Sequence, residues 1–170
     1  MSEIINKVAA SGLLTINLEE IYPEGQRMAI DIAPQLWQGI ALREKDFREW
    51  IRAHDWEQYR DAWVAVHCSA DAIIPHWAFM LVISALNTIA RKAIVGSREE
   101  LESMIFRDLV YSLNQEIYRD ARVVVKGCSD REVPVSAYSD LVFHLQPVVK
   151  SLMFGEPCST VPVYKRSQPK

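Results

Sequence analysis

The stretch Ala62-Trp63-Val64-Ala65-Val66-His67, followed by Cys68-Ser69-Ala70-Asp71-Ala72-Ile73-Ile74-Pro75, decides the reading of the fold. Its first six residues are apolar almost without interruption, as in strands buried on both faces of a parallel sheet. Pro75 suits the first turn of a helix, where a missing N–H costs nothing. The helix behind it is expected to reach Lys92, and its all-round apolar run from Trp77 to Ile83 predicts deep burial. Ala93-Ile94-Val95, closed by Gly96, predicts a short strand.

Outward from this segment the alternation continues. Downstream, Ser97 and Glu100 form a capping box, and Leu101, Ile105, Leu109 and Leu113 follow as an apolar stripe. Arg122 to Lys126 is the plainest strand of the chain, and Val135, Tyr138, Leu141, Val142, Leu145 and Val149 mark a helix that ends or kinks near Pro147. Ser151 to Phe154 and Val161 to Tyr164 predict two last strands. Upstream, Leu13 to Leu18 and Arg27 to Ile32 read as strands joined into a hairpin through the turn Pro23-Glu24-Gly25. Ile40 to Leu42 reads as a third strand and Arg43 to His54 as a helix. Together these predict an α/β fold: three layers, a largely parallel sheet with helices on both faces, and an N-terminal β-hairpin extension. No internal repeat emerges by period. Residues 1–170 are expected to form a single α/β domain, with 1–12 and 167–170 loosely held.

Composition narrows the function. With 49% hydrophobic and 24% charged residues, the chain is neither disordered nor collagen-like. A net charge of -3 argues against a nucleic acid held by bulk charge. Met1-Ser2-Glu3 lacks the basic start of a secretory signal, and no apolar run approaches a membrane span. A cytoplasmic protein with no membrane partner is expected, and three cysteines in a reducing compartment do not suggest a disulfide framework. Glycine-rich phosphate loops, H-E-x-x-H, G-x-S-x-G and C-x-x-C are all missing from the sequence.

What stands out is a set of three Cys-Ser pairs: Cys68-Ser69, Cys128-Ser129 and Cys158-Ser159. Each follows the carboxyl end of a predicted strand. In an open parallel sheet those ends share one rim, where ligands bind. Three thiolates there would suit zinc or an iron–sulfur cluster, with Asp71 or Asp130 as a fourth ligand or outer-sphere acceptor. A cysteine before a helix N-terminus would alternatively serve as a nucleophile or sulfur carrier. Ser69, Ser129 and Ser159 with Lys126 would line the same rim as an anion site. Against all of these stands the plainer reading that cysteine packs as a small hydrophobe. His144, one turn from Asp140, reads as a polar helix pair, and Trp37, Trp50 and Trp56 read as core or a dimer surface.

The segments Leu42-Arg43-Glu44-Lys45-Asp46-Phe47-Arg48, Cys68 to Pro75, Val125-Lys126-Gly127-Cys128-Ser129-Asp130 and Gly155 to Val163 resemble the bacterial family catalogued as domain of unknown function 2480, over nearly the whole chain. The resemblance carries no activity. It implies an association with iron–sulfur cluster assembly proteins, and with it a metal or sulfur role for Cys68, Cys128 and Cys158. Three functions remain open at this point. The first is a metal- or iron–sulfur-binding accessory protein rather than an enzyme. The second is a thiol enzyme or sulfur carrier with one reactive cysteine. The third is a dimeric interaction module whose cysteines pack.

Overall fold

The central strand Trp63–His67 has no polar interior position, and it takes a parallel partner on each side. In the computed structural model, which describes residues 7–8, 13–127, 131–156 and 159–167, the elements follow in chain order. They are β1 (Lys7–Val8), β2 (Leu13–Ile16), β3 (Arg27–Asp31), α1 (Glu44–Ala53), β4 (Trp63–His67), α2 (His76–Leu86) and β5 (Lys92–Val95). Then come α3 (Arg98–Ser112), α4 (Gln115–Tyr118), β6 (Arg122–Val125), α5 (Val135–Leu145), β7 (Ser151–Glu156) and β8 (Ser159–Lys165). The fold is α/β with mostly parallel strands. None of the described helices is long and apolar enough to cross a membrane.

The strands form two sheets, and the chain divides into two compact units. The inner unit, Glu24–Glu102, holds the sheet β3-β4-β5, all parallel. The outer unit, Met1–Pro23 with Ser103–Lys170, holds the sheet β1-β2-β6-β7-β8. Its three middle strands are parallel and its two edges antiparallel.

In the inner unit Val64, Ala65 and Val66 of β4 are fully buried. Ala78, Val82 and Leu86, spaced four apart on α2, pack against that core with Ile30, Ile32 and Phe47. In the outer unit Val123 and Val125 of β6 lie among Ala137, Leu141 and Leu145 of α5 and Leu152 of β7. Each fully buried aliphatic side chain contributes about 1.5–3 kcal/mol relative to exposure.

The two units are the same motif. Position by position, without a gap, Glu57-Gln58-Tyr59-Arg60-Asp61-Ala62 corresponds to Glu116-Ile117-Tyr118-Arg119-Asp120-Ala121, Pro75 to Pro134, and Gly96 to Gly155. Asp55 and Asn114 each cap a short turn of helix by accepting from the N–H of Glu57 and Glu116. Asp61 and Asp120 both adopt φ 57°, and each donates its N–H to the turn before the next strand, to Ile89 at 3.0 Å and Val148 at 2.9 Å. The registers coincide: Met28, Val64 and Ala93 lie abreast in one sheet, Leu14, Val123 and Leu152 in the other.

Several expectations are corrected. Leu13–Ile16 and Arg27–Asp31 do not pair with each other: β2 takes β6 and β3 takes β4, each in parallel, while the antiparallel neighbour of β2 is β1. Each strand is the first strand of one copy of the motif, and a tight hairpin would have denied it the buried valine strand. The expected strand at Ile40–Leu42 is a single bridge between Trp37 and Ala41. The helix after Pro75 ends at Leu86, and Met80 within its apolar run is 70% exposed. The expected absence of a repeat gives way to the duplication. The capping box forms as read, with the Ser97 N–H donating to Glu100 at 2.7 Å and the Glu100 N–H to the Ser97 hydroxyl at 3.2 Å.

Candidate functional site

At the carboxyl ends of the inner unit's strands, β3 finishes in Asp31 and β4 in His67. Asp31 accepts the Ala33 N–H at 2.9 Å, the Ser69 N–H at 3.0 Å and the Ser69 hydroxyl. Burial pushes the Asp31 carboxyl up. The hydrogen bonds from the Ser69 hydroxyl and the two N–H groups outweigh it and hold the group below the ordinary carboxylate range. Ser69, expected as a ligand, therefore ties the β4 loop to the end of β3. Cys68 is half-buried against the inner core, with its sulfur 3.7 Å from the carbonyl oxygen of Ala70. It sits as a packing cysteine does. Asp71 is exposed.

At the matching rim of the outer unit, Lys126 follows β6 and its ammonium lies 3.6 Å from Glu156 at the end of β7. Gly127 comes next, and a Cβ there would fall 1.9 Å from the tip of the Phe154 ring. The corresponding inner residues are Cys68 and Val95, so the unit with the larger ring has no side chain beneath it. Ser159, exposed, opens β8. Cys128, Ser129, Asp130 and Cys158 lie outside the described residues. Among the described residues no group of three potential metal ligands gathers. The sequence reading put three Cys-Ser pairs on one rim of one sheet. The strands before these pairs do not share one sheet: Cys68 follows β4 of the three-stranded sheet, whereas Lys126 and Gly127 follow β6, and Glu156 ends β7, of the five-stranded one.

His144 does not pair with Asp140. Its Nε2–H donates to the Leu113 carbonyl at 2.8 Å, and Asp140 meets Arg107 at 3.4 Å instead. Trp50 and Trp56 pack with each other and with Phe47, His54 and Tyr59, and Trp77 meets the same Phe47 ring, whereas Trp37 is 41% exposed beneath the Arg43 guanidinium.

What sequence reasoning missed is a pair of equivalent apolar grooves, each between a helix and the strand after it. The inner groove, about 550 Å³, runs along α2 and β5 past Phe79, Met80, Ile83, Asn87 and Val95. The outer groove, about 300 Å³, runs along α5 and β7 past the matching Tyr138, Ser139, Val142 and Phe154. In the outer unit β8 pairs antiparallel with β7, and its Val163 forms part of the groove wall. Two of the exposed apolar side chains line these grooves, Met80 of α2 in the inner unit and Val135 of α5 in the outer one. The shared E-x-Y-R-D-A segment was the sequence signal that could have exposed the duplication, and with it the grooves.

No curated protein and no solved structure matches the chain. The model of a family described as protein of unknown function (DUF2480) matches residues 2–166, so the chain belongs to that family.

Proposed function

We propose that this protein is an interaction module whose helix–strand grooves bind extended protein segments. The observation that carries this reading is the repetition of one apolar groove in both units, with an antiparallel strand already seated beside the outer one. Large exposed apolar side chains on a folded surface mark interaction sites, and a sheet edge next to such a groove offers main-chain hydrogen bonds as well as side-chain pockets. The packing of Cys68 fits a role in which that cysteine is structural. The test is a photo-reactive residue placed at Met80 in the living host, with Lys45 on the solvated face of α1 as control. Discrete protein adducts at Met80 and none at Lys45 support the module. No adduct at Met80 refutes it.

A second reading keeps a metal or iron–sulfur role for a protein working with cluster-assembly partners, and moves it to Cys128 and Cys158. It is favoured by the described anchors of those two segments. Lys126 and Glu156 pair across β6 and β7, and Gly155 approaches Ser159 so closely that a Cβ at 155 would lie 2.5 Å from the Ser159 carbonyl oxygen. Two thiolates suit a soft metal such as zinc. Anaerobic purification with elemental analysis tests it: about one zinc or iron per chain, lost in Cys128→Ser and in Cys158→Ser but kept in Cys68→Ser, is expected. Metal-free protein overturns it.

A further inference from the structure

The strands β5 and β7 hold the same place in the two copies of the motif, and they differ at one edge. The far side of β7 carries β8, paired antiparallel from Ser151↔Lys165 to Glu156↔Ser159. On the far side of β5 no strand pairs among the described residues. Beside that edge lies the inner groove, with Met80 70% and Val95 50% exposed. A short, apolar, open edge is a template for strand addition.

We propose that the occupant is a second copy of this chain, whose own β5 pairs antiparallel with the first about a two-fold axis. This deepens the interaction-module reading and rests on it. The outer unit shows the geometry the motif accepts at this edge, an antiparallel strand that adds an apolar side chain, Val163, to the groove wall. A two-fold axis between two identical strands gives antiparallel pairing by symmetry and uses the same patch on both molecules. The result is a six-stranded sheet, with α2 of each copy beside the seam.

Charge is compatible with this pairing. A two-fold axis perpendicular to the sheet passes through a residue pair, and centres on Ala93 or Ile94 set Lys92 opposite Ile94 or Gly96 of the other copy. No like charges meet directly across the strands in either register. Met80 and Val95 would leave water at the seam, and burying a charge at either place without a partner would be costly.

The experiment uses the purified full chain in sedimentation equilibrium from about 1 to about 100 µM, a range that spans ordinary dimer affinities. The expected species has twice the 19.5 kDa chain mass. Amide exchange at Lys92–Val95 should slow as the dimer forms. Met80→Glu and Val95→Lys, both at exposed positions that leave the monomer folded by circular dichroism, should each weaken the dimer about 100-fold. Phe143→Glu on α5 should not weaken it. A chain that stays monomeric, a dimer without protection at β5, or one weakened only by Phe143→Glu overturns the proposal. The photo-adducts separate the two claims. A Met80 adduct to a different protein, with a monomeric purified chain, leaves the module standing and removes the dimer.

Discussion

Leu86 of α2 and Leu145 of α5 fill the same position in the two copies of the motif, both 0% exposed and each in its own core cluster. Truncation to alanine deletes buried carbons and leaves a cavity, which costs about 2–5 kcal/mol at such sites. Both leucines sit in the last turn of a helix that packs over the buried valine strand of its unit, so the two costs should agree to within about twofold, near 3 kcal/mol. The chain supplies a selective probe. All five tryptophans, Trp37, Trp50, Trp56, Trp63 and Trp77, belong to the inner unit. Urea unfolding followed by tryptophan emission therefore reads Leu86→Ala directly. A loss of about 3 kcal/mol against a slope of about 1–3 kcal/mol/M lowers the midpoint by roughly 1–3 M. Leu145→Ala is read by amide exchange at Val123–Val125, whose protection should fall about 100-fold. If either truncation costs under about 1 kcal/mol, the equivalence of the two cores is wrong.

Gly127→Ala drives a Cβ into the Phe154 ring and should cost about 1–3 kcal/mol. Adding Phe154→Val, which copies the Cys68–Val95 pairing of the inner unit, should restore most of that loss in thermal unfolding. A double variant no better than the single one would show that the ring is not the obstacle. Burial pushes the His54 imidazole down, with Asp55 pulling it partly back. The folded form then holds a proton less tightly than the unfolded chain. Its stabilising contribution is complete above the ordinary value of about 6.5 and is lost as the pH falls through the depressed one. The tryptophan-detected midpoint should decline between about pH 7 and pH 5, and His54→Gln should flatten that decline. An equally steep decline in the variant would place the titrating group elsewhere.

Much of the chain was legible residue by residue, because its signals are local. The valine strand, the capping box at Ser97 and Glu100, and the proline-led helices depend on neighbours three or four positions away. The candidate site was legible only in part. Cys68 does follow a strand end, as its sequence context implies, yet its burial and the tie between Ser69 and Asp31 come from packing against a segment far back in the chain. The duplication was written in the sequence as E-x-Y-R-D-A twice, but a period search looks for tandem copies. Here the first strand of the outer copy precedes the whole inner copy, so the repeat is interrupted.

By itself the sequence determined that the chain is α/β, where its longer helices begin, and that its central strands are buried on both faces, since period and capping are properties of short segments; the short helix α4 was not read from it. Only the tertiary structure decided which strands pair, that there are two sheets and not one, and that an edge closed by β8 in one unit stands open in the other. Strand pairing joins backbone groups remote in sequence, and nothing in a strand's own residues names its partner.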